Sequence, residues 1–353
     1  MKSDNNIITI GERRVGAGQP CFVIAEAGVN HNGDLKLAFE LVDIAVQASA
    51  DAVKFQTFLA EKVCSPNSPQ ADYQLQNTGI PESQLEMVKK LELPFEAFRE
   101  LQAYCRTKGI IFLSTPFDHD SIDFLAALDV PAFKIPSGEV TNAPFVEHVA
   151  QQKRPVILST GMATLAEVAA AVETLKRSGN QELILLQCVS NYPAKASNAN
   201  LRAMATMAEQ FQVPVGFSDH TTGIEVAIAA VALGACAVEK HFTISKSLPG
   251  PDHAASLDPK ELAELVRDIR NVEGALGDGI KRPVAEEANT AAVARRSLVA
   301  ARDIKAGTIL TEDLIEIMRP GTGLAPGMRR QLVGRRVCCY IEAGALLTMD
   351  MMA

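Results

Sequence analysis

Residues Val213–Thr221 read VPVGFSDHT: an apolar run fit for a buried strand that ends in Ser218, Asp219 and His220. Cys236–Thr243, CAVEKHFT, repeats the plan with Glu239, Lys240 and His241 at its polar end, and its histidine falls 21 residues after His220. Strands buried on both faces read as continuous apolar runs rather than as an alternation. Six further runs share this design: CFVIAEAG from Cys21, DAVKFQT from Asp51, IIFLSTP from Ile110, AFKIPSG from Ala132, PVILSTG from Pro155 and LILLQCVS from Leu183. Between the runs lie patterns of helical period, such as LKLAFELVDIAVQAS, TLAEVAAAVETLKRSG and TGIEVAIAAVALG, often closed by glycine. Eight strand–helix units in about 250 residues predict an α/β fold, a closed parallel (β/α)8 TIM barrel. A doubly wound sheet would more often carry GxGxxG after its first strand, and AEAGVNHNG at that position does not match.

The 353 residues suffice for one such barrel and a smaller module. Residues 1–280 read as the barrel, 281–296 as a polar linker and 297–353 as a β-rich module. The module holds an internal echo, DIKAGTILTEDLI from Asp303 and YIEAGALLTMDMM from Tyr340, each read as strand, tight Ala-Gly turn, strand. It is small enough that it is expected to dock on something. The connection from about Leu59 to Pro94 is long and rich in Pro, Ser, Asn and Gln, as expected of a lid on the active-site face. A net charge of −8 without a Lys/Arg cluster argues against nucleic acid or an anionic membrane as partner. Seven cysteines, mostly inside apolar runs and without metal-site or disulfide spacing, point to a reducing cytoplasm. MKSDNNIITIGERR has no apolar core, and no 18-residue apolar run exists, so neither signal peptide nor membrane span is expected.

All eight strands start apolar and finish polar, and in a parallel barrel those C-terminal ends form the catalytic face. Helix capping accounts for Ser159 or Thr160 but not for Glu, Lys and His. His220 and His241, on consecutive strands, read either as two ligands of a divalent metal in an open site or as two separately hydrogen-bonded histidines. Lys54 and Lys134 read either as buried partners of Glu26 or Glu239 or as a clamp for a phosphate or carboxylate. Glu26 and Glu139 are the acid/base candidates. His31 reads equally as a site residue or as part of a loop held by Asn and Gly turns.

The ordered motifs IAEAGVNHNG, VKFQTF, ESQLEMVKKLEL, STPFD, KIPSGE, STGMAT, GFSDHT, EKHFT, GPDHAAS and RPGTG make the chain resemble, over nearly its whole length, the bacterial sialic acid (nonulosonate) synthases. That resemblance implies a (β/α)8 barrel followed by an antifreeze-like (SAF, β-clip) domain. It implies metal-dependent condensation of phosphoenolpyruvate with an open-chain N-acetylmannosamine-type sugar, phosphate release and a product such as N-acetylneuraminate. The alternative acceptor is 2,4-diacetamido-2,4,6-trideoxymannose, giving N,N'-diacetyllegionaminate. By the family's motifs His220 and His241 bind Mn2+ or Mg2+, and Lys54, Thr115, Lys134, Ser137 and Ser218 bind phosphoenolpyruvate. The family's Asn after the sixth strand falls on Ser190 with Asn191 next to it, a departure that leaves the phosphate contact open between them. Gln56, Tyr192, Asp252 and Glu139 match sugar-side positions, and Glu26 the carboxylate near the reacting carbons. Arg319 of RPG reaches the sugar from the partner's antifreeze-like domain, which implies a domain-swapped homodimer. Two readings of other classes stand beside it: a Schiff-base lyase on Lys54 or Lys134, and a non-catalytic carbohydrate- or ice-binding protein, prompted by the antifreeze-like tail.

Overall fold

The computed structural model describes residues 7–353; the first six residues, part of the stretch read above for a leader, lie outside the described residues. The chain divides into two compact units, Met1–Gly277 and Asp278–Ala353. The first opens with an antiparallel hairpin, β1 (Ile7–Ile10) and β2 (Arg13–Gly16). Eight parallel strands follow: β3 (Phe22–Gly28), β4 (Ala52–Thr57), β5 (Ile111–Pro116), β6 (Phe133–Ile135), β7 (Val156–Ser159), β8 (Leu183–Cys188), β9 (Val215–Asp219) and β10 (Ala237–His241). Their hydrogen-bonded order is β5-β4-β3-β10-β9-β8-β7-β6. β5 and β6 lie side by side without a ladder, so the expected barrel is nearly closed. All eight apolar runs have become strands of it.

Two apolar layers hold the barrel. Outward-facing strand residues such as Val53, Phe55, Val215 and Phe217 pack against the surrounding helices. Inward-facing Ile24, Leu113, Ile157, Ile184 and Leu186 fill the lower lumen, where Ile8, Ile10 and Val15 of the hairpin join them. The hairpin therefore plugs the N-terminal end and leaves the C-terminal end for polar groups. Local signals start the helices where the strands need to turn back. Thr164 and Glu167 form a capping box before Leu165–Arg177, and Asp258 and Glu261 do the same before Pro259–Leu276. The insertion after β4 is built of short helices, Ala60–Val63, Asp72–Thr78 and Gln84–Lys89. Among the described residues no helix is long and apolar enough to cross a membrane, and all seven cysteines are free.

In the second unit β11 (Ser297–Ala300) pairs antiparallel with β12 (Ile315–Met318) over a core that includes Leu298, Leu310, Val337 and Leu347. The echoed segments do turn at Gly307 and Gly344, both with positive φ. The strands expected on either side of each turn are single bridges instead. Ile304 and Ile341 exchange backbone hydrogen bonds of 2.8 and 2.9 Å, so the two echoes clasp each other. The stretch read as a linker contains a helix, Ala288–Ala294.

Gly216 on β9 sits where a Cβ would run into the Ala237 carbonyl of β10 and the Leu186 side chain of β8. Gly216→Ala is expected to lower stability by about 1–3 kcal/mol through overpacking, read as a lower denaturation midpoint with an unchanged denaturant slope.

Candidate active site

Strand alternation sorts the polar ends of β9 and β10 into two sets. Ser218, His220, Glu239 and His241 line a cavity of 610 Å³ at the C-terminal mouth of the barrel. Asp219 and Lys240 face the other way. Lys240 Nζ donates to Asp219 Oδ2 and to the Thr221 carbonyl, both at 2.6 Å. Asp219 Oδ1 in turn accepts from the Thr221 amide and hydroxyl at 2.9 and 2.8 Å. This buried clamp closes the turn that carries His220, which gives Asp219 a structural role.

The cavity floor is a chain of four buried charges. Lys54 Nζ lies 2.8 Å from Glu26 Oε2 and 3.6 Å from Glu239 Oε2, and Lys134 Nζ lies 3.3 Å from Glu239 Oε1. The Lys–Glu pairing reading is thus what this structure contains. Lys54 also donates to Thr115 Oγ1 at 2.8 Å, Ser218 Oγ to Glu239 Oε1 at 3.1 Å, and Gln56 Nε2 to Glu26 Oε1 at 3.2 Å. Burial disfavours ionisation of both carboxyls, with different outcomes. For Glu26 burial prevails over Lys54 and raises the pKa to about 7. For Glu239 burial is outweighed by Lys134 and Lys54, and the carboxylate stays ionised. Lys54 is held as an ammonium against its burial by Glu239 and Glu26, whereas burial lowers the pKa of Lys134.

Among the described residues, two buried side-chain polar atoms lining this cavity, Ser159 Oγ and His241 Nδ1, lack a hydrogen-bond partner, and Glu26 Oε2 and Glu239 Oε2 have only the Lys54 ammonium near them. Unpaired buried polar groups are costly, so their concentration in one place marks a ligand site. The two histidine rings are 5.4 Å apart between centroids. His220 Nδ1 donates to the Val189 carbonyl at 2.8 Å, which leaves Nε2 as its acceptor. Burial and the neighbouring His220 push the pKa of His241 well down and keep it neutral. His220, by contrast, has its pKa raised, against its burial, by Cys188 and the Val189 carbonyl; a divalent cation between the rings would take the place of its second proton and of a partner for His241. Among the described residues no group of three or more His, Cys, Asp or Glu could hold a metal ion, so the remaining ligands would have to come from substrate and water.

Lys54, Gln56, Thr115, Lys134, Ser137, Ser190, Tyr192 and Glu26 join Ser218 and the two histidines around the same cavity. Asn191 lines it as well, with its amide donated to the Pro193 carbonyl at 2.8 Å. Three expected residues are elsewhere. Glu139 sits on the short turn Ser137–Glu139, accepts from Asn142 Nδ2 at 2.6 Å and lines a separate recess with Lys62 and His119. Asp252 lines an adjoining pocket, and burial raises its pKa to about 6. Arg319 belongs to the second unit, where its Nε donates to the Ala294 carbonyl at 3.1 Å. His31 serves its loop: its Nδ1 accepts from the Gly33 amide at 3.1 Å. Sequence reasoning undervalued Glu239, named there only as a partner for lysine; it pointed to the stretch Tyr73–Glu82 as reading the sugar's far carbons without giving Tyr73 a role, and it did not reach Gln84, which the insertion also brings to the cavity wall. The proximity of EKH to SDH on paired strands was the signal for Glu239; the insertion offered none for Gln84.

Lys240→Met is expected to cost about 3–5 kcal/mol by leaving Asp219 buried and unpaired. Pairing it with Asp219→Asn should recover part of that loss, as measured by denaturant unfolding of the single and double variants.

The chain matches the NeuB family over residues 41–281 and the SAF domain over residues 295–353. It is 50% identical to an N,N'-diacetyllegionaminic acid synthase of Legionella pneumophila, an alignment covering 99% of each chain. It is 47% identical to a Campylobacter jejuni protein of the same name, over 89% of this chain and 94% of that one. The solved N-acetylneuraminic acid synthetase of Leptospira borgpetersenii, in complex with citrate, superposes with a TM-score of 0.70 at 37% identity, covering 80% of this chain and 94% of that one. Barrel, polar mouth and both matched segments agree, and the chain belongs to the NeuB family, with a C-terminal SAF domain.

Proposed function

We propose that this chain is a nonulosonate synthase that joins phosphoenolpyruvate to the open-chain aldehyde of an acetamido sugar and releases phosphate. The observation that carries it is the buried Lys54–Glu26–Glu239–Lys134 chain on the cavity floor, beside two converging histidines and the unpartnered Nδ1 of His241. The acceptor is 2,4-diacetamido-2,4,6-trideoxymannose and the product N,N'-diacetyllegionaminate, in line with the names of the relatives at 50% and 47% identity. N-Acetylmannosamine is the second candidate.

Lys54 and Lys134 bind the carboxylate and phosphate of phosphoenolpyruvate, with Thr115, Ser137 and Ser218 as further donors and Ser190 or Asn191 at the phosphate. Lys54 and Lys134 bring to the floor the positive charge that attracts the anion. His220 and His241 would hold Mn2+ or Mg2+, which when bound acts as a Lewis acid on the aldehyde oxygen. C3 of phosphoenolpyruvate bonds to the aldehyde carbon, and positive charge develops at C2 within reach of anionic Glu239. The aldehyde's C=O π pair passes to its oxygen; water adds at C2 and gives up a proton, which balances the one that oxygen takes up to become a hydroxyl. The tetrahedral centre then expels phosphate by C–O cleavage and leaves the 2-keto acid. Glu26 is the residue that handles that proton: burial brings its pKa to about 7, near the optimum for proton transfer at neutral pH. A Schiff-base route needs a neutral amine, and the ion pairs of Lys54 oppose one. Borohydride with both substrates is expected to leave Lys54 and Lys134 unmodified. In this reading the enzyme works in the cytoplasm as a domain-swapped homodimer, Arg319 of one copy completing the other's sugar site.

Phosphate release from phosphoenolpyruvate should require the sugar and a divalent cation and stop on chelation; release without the sugar overturns the reading. Glu26→Gln should lower kcat by about 10²–10⁴-fold and Glu139→Gln far less; near-normal kcat in both would remove both from acid/base chemistry. With ¹⁸O in the bridging position of phosphoenolpyruvate, the label should leave with phosphate, and label kept in the product rules out C–O cleavage.

A further inference from the structure

Beside the main cavity lies a second one of 240 Å³, and the two share seven lining residues, among them Gln56, Tyr73, Gln74, Gln84, Tyr192 and His241. Its wall is of another kind. Val63, Cys64, Met87, Val88 and Leu91, all from the insertion after β4, line it together with Phe58. Val29, Phe58 and Leu91, backed by Val88 and Phe117, form an apolar cluster separate from the barrel core. Its Gln, Tyr and His residues are all shared with the main cavity, and the one carboxylate, Asp252, lines the annex alone, 4.0 Å from His241 Nδ1. No Lys or Arg lines it. The Asp72–Thr78 helix that carries Tyr73 is tied across the opening by Asn77 Nδ2, which donates to the Pro251 carbonyl at 2.6 Å.

We propose that this annex seats the far end of the acceptor sugar, C4 to C6, and selects a terminal methyl. The inference rests on the reading of the main cavity given above, and goes beyond it by naming the residues that read the sugar. An aldehyde held near His220 and His241 leaves the rest of an open-chain sugar to extend past the shared residues. The side chains of Gln56, Gln84 and the two tyrosines among them suit an acetamido group, which offers one N–H and one C=O. A methyl beyond it meets Met87, Val88 and Leu91. A hydroxymethyl packed against Met87, Val88 and Leu91 would turn its hydroxyl to side chains that offer it no partner. A phosphate would meet Asp252 and no cation to neutralise it. The annex is therefore built for a 6-deoxy sugar and against a 6-phosphate.

The test is to measure kcat/KM for three acceptors at saturating phosphoenolpyruvate: the 2,4-diacetamido-2,4,6-trideoxy sugar, N-acetylmannosamine and N-acetylmannosamine 6-phosphate. The wild-type protein should prefer the trideoxy sugar over N-acetylmannosamine by at least about 10-fold and leave the 6-phosphate unused. Met87→Gln places an amide in the apolar wall and should shrink that preference several-fold. Val88→Phe fills the annex and should lower kcat/KM for the trideoxy sugar by about 10-fold or more, while the KM for phosphoenolpyruvate stays put in both variants. A merely structural role would lower all acceptors in proportion and leave the ratio alone. If sugar-driven phosphate release persists but neither variant moves the ratio, or the wild type prefers the 6-phosphate, the annex proposal falls and the synthase reading stands. If none of the three sugars drives phosphate release, both fall.

Discussion

Four charged side chains buried at one end of a barrel constrain the rest of this fold. Lys54, Glu26, Glu239 and Lys134 come from four strands, and all are almost fully shielded from solvent. Burying such groups costs more than their mutual attraction reliably returns, so the chain is poor evidence for stability. Its presence makes sense as preorganisation. The scaffold meets the desolvation cost on folding, and the groups then face a ligand without having to reorganise. The apolar lower lumen and its hairpin plug are what the scaffold sets against that cost. A barrel filled from below by Ile and Leu can carry an ionic layer above.

Within that layer the two carboxyls diverge because their neighbours differ. Glu239 lies between both lysines and stays ionised, while Glu26 has Lys54 alone as a close cation and burial prevails. Two groups of the same type thus suit different tasks, one as a fixed negative charge and the other as a proton carrier. This is also the physical ground for favouring Glu26 over Glu139. Glu139 lies past the end of β6 on a short turn, and its carboxylate is taken by Asn142.

The barrel was legible in the sequence because a doubly buried parallel strand leaves a compact signature: an apolar run with a polar exit, followed by a helical period. The hairpin Ile7–Gly16 left no such mark. Its strands are four residues each, and Arg13 and Arg14 interrupt the pattern, so its burial depends on the lumen it plugs. The echoed segments of the second unit showed their turns, fixed by Gly307 and Gly344, but not that one bridge, Ile304 to Ile341, would join them while their other bridges go to Val299, Arg336 and Val337. Most of the cavity residues could be read from strand ends, since a strand end has one place to go. The annex could not, because its walls come from Val29, the stretch Phe58–Leu91 and Asp252, brought together by tertiary packing alone.

The same alternation that made the strands readable divides labour between neighbouring residues. On β10, Glu239 and His241 enter the cavity while Lys240 turns outward; in β9 and the turn after it, Ser218 and His220 enter while Asp219 turns outward. The outward pair meets behind the wall, and Lys240 also holds the Thr221 carbonyl. The histidine spacing is therefore governed from outside the cavity, by an ion pair remote from any ligand. A site that asks two imidazoles to converge gains from such an anchor, since side chains fixed only by their ligand would have to be ordered on binding. Chemistry on one face and rigidity on the other follow from a strand period of two.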